Sequence, residues 1–462
     1  MRMVGAEPTR RRVLWAGSAV LPAALSVALS ACGGESAGTP AAGGALTPGK
    51  VSVWGATNDG GHWEGDAAAP FRREFEEKNP GVTVEAVRIV AGGSTGFATP
   101  EEKFLAAVAG GEPPDLYSTG RAGTMAAWGL DGVVRALDER MKGSKVIKAD
   151  KFLPNALEEG SWKGKTYALY HSADTRVLYW NKELYAASGL DPEKPPDTWE
   201  ELATNITRTL RRDGSTISVL GYHPTIHTTG QFFWQAWHWA LGGKFLSDDG
   251  AKAAFTDDTG IRALEWMQRL ASIQGGMSAI TPFPASVGAP NGQGSAFLVN
   301  KVAHLTETSA ARVLLLNQYK DVRFGVGHMP KAATGKRTSV RGGFSLVMTS
   351  GSKRQDAAWR FMEHHFMSET LARWNDAFDR LPTTKEASVS PLYAKNDAFR
   401  KLQVEVVAYS QRVPAVHPAA FEIQPISAEI QASVLNGGAS PREALEGGAR
   451  KVQELLDRWK GR

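Results

Sequence analysis

The chain predicts an α/β protein built on an open sheet, and three observations carry that prediction. Residues 50 to 117 read strand, helix, strand, helix, strand, the order that builds such sheets. Its 462 residues leave room for roughly two to four domains with substantial cores. With 42% hydrophobic and 22% charged residues, the balance is that of a globular chain, which excludes wholesale disorder and a polytopic membrane protein.

The elements follow in order. Lys50-Val51-Ser52-Val53-Trp54-Gly55 alternates as a strand and runs into an Asn58-Asp59-Gly60-Gly61 turn. An amphipathic helix with Pro70, Phe71 and Phe75 follows and stops at Asn79-Pro80-Gly81. Val82 to Val87 alternates again. Residues 100 to 109 give a helix with Phe104, Leu105 and Val108 on one face, and Gly110 to Pro114 turns into a third strand at Leu116-Tyr117. Ligands of open α/β sheets sit beyond the carboxyl ends of the strands, which here means Trp54 to Gly61 and Ser118 to Arg121. Residues 162 to 169 read as a hairpin and Val177 to Asn181 as a strand, with the polar stretch His171 to Thr175 between them suited to a chain passing between lobes. Helices are expected from Asp197 or Thr198 with a capping box at Glu200 or Glu201, at 231–240, at Thr259 to Ile273, at Gln355 to Phe366 and at Pro441 to Trp459.

The N-terminus has a different character. Thr9-Arg10-Arg11-Arg12 precedes an apolar run that ends at Leu29-Ser30-Ala31-Cys32, the order of an export signal with a twin-arginine-like charge cluster. Cys32 is the single cysteine, so no internal disulfide is available, and its setting matches a lipobox in which the thiol is acylated. Residues 33 to 49 are small and flexible, a tether from a membrane surface to a body outside the cell. Removing four Arg and one Glu with residues 1–31 takes 53 basic and 48 acidic residues to 49 and 47, or +2, which argues against nucleic acid as a partner.

The order of several short motifs resembles the extracellular solute-binding proteins of sugar ABC importers, the class that includes maltose-binding protein. The matching pieces are Val51 to Trp54, Phe75 to Val84, Gly110 to Leu116, Leu178 to Leu184, Pro196 to Leu202, Gly242 to Phe245 and Ala357 to Phe361, spread from about 50 to 460. The resemblance implies a type II periplasmic-binding-protein fold, two α/β lobes joined by three hinge crossings. One lobe would hold residues 50–171 and 310–375, the other 175–308 and 379–462. It also implies a monomer that delivers its ligand to ABC permease subunits, with closure favoured by ligand contacts to both lobes.

A carbohydrate site needs aromatic platforms and side chains that donate and accept in the ring plane. Thirteen of the 14 Trp survive signal cleavage. Trp54 follows the first strand, and Trp234, Trp237 and His238 share helical faces. Three indoles within 234–239 are expected not to fit inward together, which sends at least one to the cleft; the resemblance favours Trp234. Polar partners are expected in Asn58 and Asp59, Thr119 and Arg121, Asp174 and Arg176 at the first crossing, and Glu307 with Thr308 at the second. By resemblance, Gly342, Gly343 and Phe344 bring backbone N–H groups to the ligand, and Arg380 with Pro382 marks the third crossing.

Other chemistries are weaker. A glycoside hydrolase needs two carboxylates across the scissile bond, and no motif fixes such a pair among Asp59, Asp174 and Glu307. A non-sugar solute is the other alternative. His223 and His227 flank Pro224, which opposes a helical metal pair, and no phosphate loop is present, so neither metal nor cofactor is expected.

Overall fold

The computed structural model describes residues 46–461 except 56–62, 64, 90–98, 121–122, 154–155, 225–232, 287–292, 309–311, 313–314, 317–320, 396 and 413–416. The export signal, Cys32, the tether up to residue 45, Asn58, Asp59 and Arg121 lie outside the described residues. No helix among the described residues is long and apolar enough to cross a membrane.

The first half opens as expected. β1 (Gly49–Gly55) pairs in parallel with β2 (Val82–Arg88) and β3 (Leu116–Thr119), and the linking helices are α1 (Ala69–Lys78) and α2 (Pro100–Ala109). α1 buries Phe71 and Phe75, one turn apart, with Pro70 in its first turn where no amide donor is missed. The Thr99 hydroxyl caps α2 by accepting from the Glu102 amide. α3 (Thr124–Leu130) follows, then a small hairpin of Ser161–Trp162 and Lys165–Thr166.

β4 (Leu169–Asn181) is the spine of the molecule. All 13 of its residues are buried, as a strand covered on both faces must be. The polar stretch His171 to Thr175 therefore does not interrupt a strand. It forms the first part of one continuous strand. The second half brings α4 (Trp199–Thr209), β5 (Arg211–Asp213), β6 (Thr216–Tyr222), α5 (Phe233–Ala240), α6 (Asp258–Ser272), β7 (Val302–Thr308) and β8 (Phe324–Gly327). The chain ends with β9 (Ser339–Met348), α7 (Gln355–Phe366), α8 (Ser368–Ala377), β10 (Leu381–Pro382), α9 (Ala398–Tyr409), β11 (Ser410–Gln411), α10 (Ala420–Leu435) and α11 (Pro441–Arg458). α11 starts on a complete capping box between Ser440 and Glu443.

Among the described residues one eleven-stranded sheet runs β2-β1-β3-β9-β4-β7-β6-β5, with β8 and β10 also on β4 and β11 on β9. Residues 169 to 175 of β4 pair with β9, and 176 to 180 pair with β7, so the strand changes partners between Thr175 and Arg176. Hydrophobic clusters divide at the same place. Val51, Val53, Phe75, Leu346 and Trp374 pack on one face of the first half, and Phe104, Tyr117, Trp128 and Tyr170 on the other. Trp199, Trp234, Trp266 and Leu445 form one cluster of the second half, and Val177, Leu220, Phe297 and Leu305 another.

Leu315, Val322, Met329 and Val340 pack with the second half, while Leu381, Ala387 and Tyr393 pack with the first. Inside β9, Ser339 and Val340 pair with β11, and Arg341 onward pairs with β4. The chain leaves the first half along α9, whose Val404 and Val407 face the first half while Leu402, Val406 and Tyr409 face the second. Strand pairing, which no linear motif records, decides where a chain changes partners within the sheet.

Candidate ligand site at the junction of the two halves

The parallel strands β1 and β3 end side by side, Trp54 opposite Tyr117. Trp54 is half-buried and rests on the cluster built round Phe104 and Tyr117, whose rings stack at 4.2 Å. Thr119 is fully buried. Its hydroxyl donates to Glu101 Oε1 at 3.1 Å and its carbonyl accepts from Ser345 Oγ at 3.2 Å, so the side chain tightens the strand end from within.

At the partner switch of β4 the structure gathers Asp174, Arg176, Gly342, Gly343, Phe344 and Arg380. Asp174 Oδ1 accepts from Arg176 Nη1 at 2.7 Å, and its Oδ2 lies 3.5 Å from Arg380 Nη1. The Arg380 guanidinium stands 4.2 Å over the Phe344 ring centroid, a cation–π pair between a buried guanidinium and a half-buried ring. A Cβ on Gly342 would sit 2.5 Å from Asp174 Oδ1 and 2.9 Å from Arg176 Nη1. Gly343 has φ +147°, and a Cβ there would overlap the Ser172 carbonyl. Both glycines are thus explained by the close passage of β9 over β4. Glu307, on the neighbouring strand β7 and paired with Val177, accepts from the Thr308 amide at 2.6 Å. Burial pushes its carboxyl up, against the pull of that amide and of Arg176.

Trp234, Trp237 and His238 go elsewhere. The expectation that one indole must leave the core is overturned: Trp234 is 0% exposed, Trp237 2% and Trp239 4%. The Trp234 indole N–H donates to Ser427 Oγ at 3.0 Å, and its ring meets Phe255 edge-on at 5.6 Å. Trp237 packs edge-on against Trp199 at 5.2 Å. His238 Nε2 lies 3.4 Å from Asp257 Oδ1, and burial holds its pKa below the ordinary value despite that carboxylate. All three indoles fit because α5 is short and covered on several sides at once: α6 packs along it, α10 reaches it through Ser427 and Gln431, and Thr338 hydrogen-bonds its Ala236 carbonyl.

Sequence reasoning missed a second charge group beside the site. Glu159 accepts from both Arg341 and Arg412, the latter at 2.8 Å, and all three side chains are buried. Arg412 Nη2 also donates to the Gly120 carbonyl at 2.7 Å, and its guanidinium covers Tyr170 at 4.7 Å. Half-buried Trp162 meets His417 edge-on at 5.3 Å. Arg341 stands directly before Gly342, the one local signal that would have found it. Glu159 and Arg412 are 253 residues apart, and no spacing rule joins them.

A two-lobed α/β molecule with a charged, ring-bearing junction between lobes is the architecture of solute-binding proteins. A family model for bacterial extracellular solute-binding proteins matches residues 60–365, and the chain belongs to that family. A putative binding protein of Brucella abortus (strain 2308) is 23% identical over 393 residues, covering 83% of this chain and 88% of its own. The sn-glycerol-3-phosphate-binding periplasmic protein of Yersinia pseudotuberculosis is 24% identical over 377 residues, covering 77% and 82%. Among solved structures, a solute-binding protein of Thermotoga lettingae bound with α-D-tagatose superposes with a TM-score of 0.71 at 24% identity, over 88% of this chain and 99% of that one. The GacH receptor of Streptomyces glaucescens, solved unliganded and with acarbose, gives 0.72 at 22% identity over 89% and 99%. These likenesses establish the two-lobed fold.

Proposed function

We propose that the chain is the carbohydrate receptor of an ABC importer, a protein that captures a sugar between its lobes and presents it to permease subunits without altering it. The observation that carries this reading is the half-buried Phe344 ring beside Arg380 and the Asp174–Arg176 pair, with two further half-buried rings, Trp54 and Trp162, on the aromatic cluster of the same half. Rings take the apolar C–H faces of a sugar, and Asp174, Arg176 and Arg380 suit its hydroxyls. The solved relatives' tagatose and acarbose complexes support the same ligand class. Trp234, enclosed in the core, has no place in this site. The lobes we assign as 46–175 with 341–394, and 176–340 with 402–461, α9 crossing between them.

Calorimetry of the mature protein against a panel of mono- and oligosaccharides tests the reading. Saturable heat at one sugar per chain, with the sugar recovered unchanged, supports a receptor; product formation would replace it with an enzyme. A phosphorylated polyol is the second reading. It is favoured by four arginines (176, 341, 380, 412) around Asp174, Glu159 and a Glu307 whose carboxyl is pushed up by burial. Glycerol 3-phosphate therefore belongs in the panel.

Membrane attachment we assign to a lipid on Cys32, after a twin-arginine-like signal. Mass spectrometry of the mature N-terminus tests it, with Cys32→Ser expected to free the protein from membranes.

A further inference from the structure

Three contacts link residues 120–170 of the first lobe to residues 412–420 of the second, and none of them involves a ligand. The first is electrostatic: Glu159 holds Arg412, whose other amino group reaches the Gly120 carbonyl just past the end of β3. The second is steric. Gly123 caps α3 with φ +75°, and a Cβ there would overlap Ala420 Cβ and lie 2.6 Å from the His417 carbonyl, so the backbone of one lobe is seated directly on the start of α10. The third is the edge contact of Trp162 with His417. Ala419 and Ile423, adjoining this seat, belong to the core of the second lobe, so the seat moves with that lobe.

We propose that Arg412 with Glu159, and the Gly123–Ala420 seat, form an interlobe clasp that favours the closed arrangement before ligand arrives. Arg412 acts as a positioning residue: its bond to the Gly120 carbonyl ties the strand end where ligands of open sheets bind to the far lobe. Any ligand that orders that strand end strengthens the tie, and closure orders the strand end in turn, a reciprocal coupling. Arg412 gives one amino group to the Glu159 carboxylate and the other to the Gly120 carbonyl, so parting the lobes at this contact would leave a buried charge unmatched. The clasp rests on the two-lobed fold and holds whichever solute is bound.

Small-angle scattering of the ligand-free mature protein tests it. Arg412→Ala and Glu159→Gln should each enlarge the radius of gyration. So should Ala420→Leu, a wedge that leaves every charge paired. If the closed share falls from most of the population to about a tenth, the apparent Kd for the solute found by calorimetry rises about tenfold. Variants that scatter like the parent while only their melting temperature falls would reduce the contacts to an ordinary structural ion pair and overturn the clasp. Should Arg412→Ala fail to fold, Ala420→Leu decides alone. The scattering arm needs no ligand, so failure of every sugar to bind would defeat the carbohydrate reading and leave this test intact.

Discussion

Trp199, Trp234, Trp237, Trp239 and Trp266 fill the interior around α5 with indole, whereas Asp174, Arg176, Arg341, Arg380 and Arg412 fill the junction of β4 and β9 with charge. Both regions are buried, and they do different work. Most of what indole burial contributes is the non-directional removal of apolar surface from water, so it suits the interior of one lobe. Ionised groups out of water are stable only with particular partners at particular distances, so they register how the two halves meet. The fully buried tryptophans around α5 therefore belong to the core of one lobe, and the candidate recognition rings Trp54, Trp162 and Phe344 are the half-buried ones nearer the charged groups.

The comparison breaks first on Trp234→Ala. Removing this indole should cost about 3–5 kcal/mol in urea unfolding, the range for a large ring in a packed core, with solute affinity of the folded protein unchanged. A normal midpoint with lost affinity would return the residue to the cleft. Asp174→Asn comes next. It leaves Arg176 and Arg380 without their shared carboxylate and should cost about 3 kcal/mol, because breaking a buried pair strands a charge. Here affinity should fall as well, and unchanged affinity would remove the crossing from the binding surface.

His171 sharpens the contrast, because β4 carries it among the aromatic rings of the first half, three residues before Asp174. Its ring lies 4.9 Å from His365 and 5.8 Å from Trp63, with no hydrogen-bond partner on either nitrogen among the described residues. Burial, helped by Arg380, lowers its pKa from 6.5 to about 3. The folded state thus keeps the ring neutral while the unfolded chain protonates near 6.5. Stability from this residue is complete above 6.5 and is lost as pH falls toward 3, about 2 kcal/mol by pH 5. His171→Phe should flatten the acid limb of stability by about one proton, read from unfolding at pH 7.5 and 5. An unchanged limb would mean that the ring is hydrated in solution.

The smallest effect belongs to Glu200, which holds Arg269 through two bonds of 2.6 Å on the surface. Solvent screens this pair, so Glu200→Gln should change stability by less than about 1 kcal/mol. A loss as large as that of Asp174→Asn would show that geometry alone, and not burial, sets the worth of these pairs.

How far the fold was legible can be read from single elements. The helix Gln355–Phe366 has the bounds that its pattern predicts, and α11 begins at the expected Pro441 behind Ser440 and Glu443, because caps and periodicity act within a few residues. Asp174, Arg176 and Arg380 were singled out by the sequence, and the structure brings them together, although Arg380 adjoins Leu381 of the first half and is not on the crossing helix α9. The continuity of β4, the change of partners inside β9 and the bond from Arg412 to Glu159 were not legible, since each joins segments far apart in the chain.

Local chemistry by itself determined the α/β alternation, the helix starts, the glycine pair before Phe344 and the family motifs, for these depend on neighbours a turn or a pleat away. Only the tertiary structure decided which tryptophans are covered and which arginines share a carboxylate. A side chain's exposure depends on what distant segments pack over it, and an ion pair's worth depends on how completely those segments exclude water.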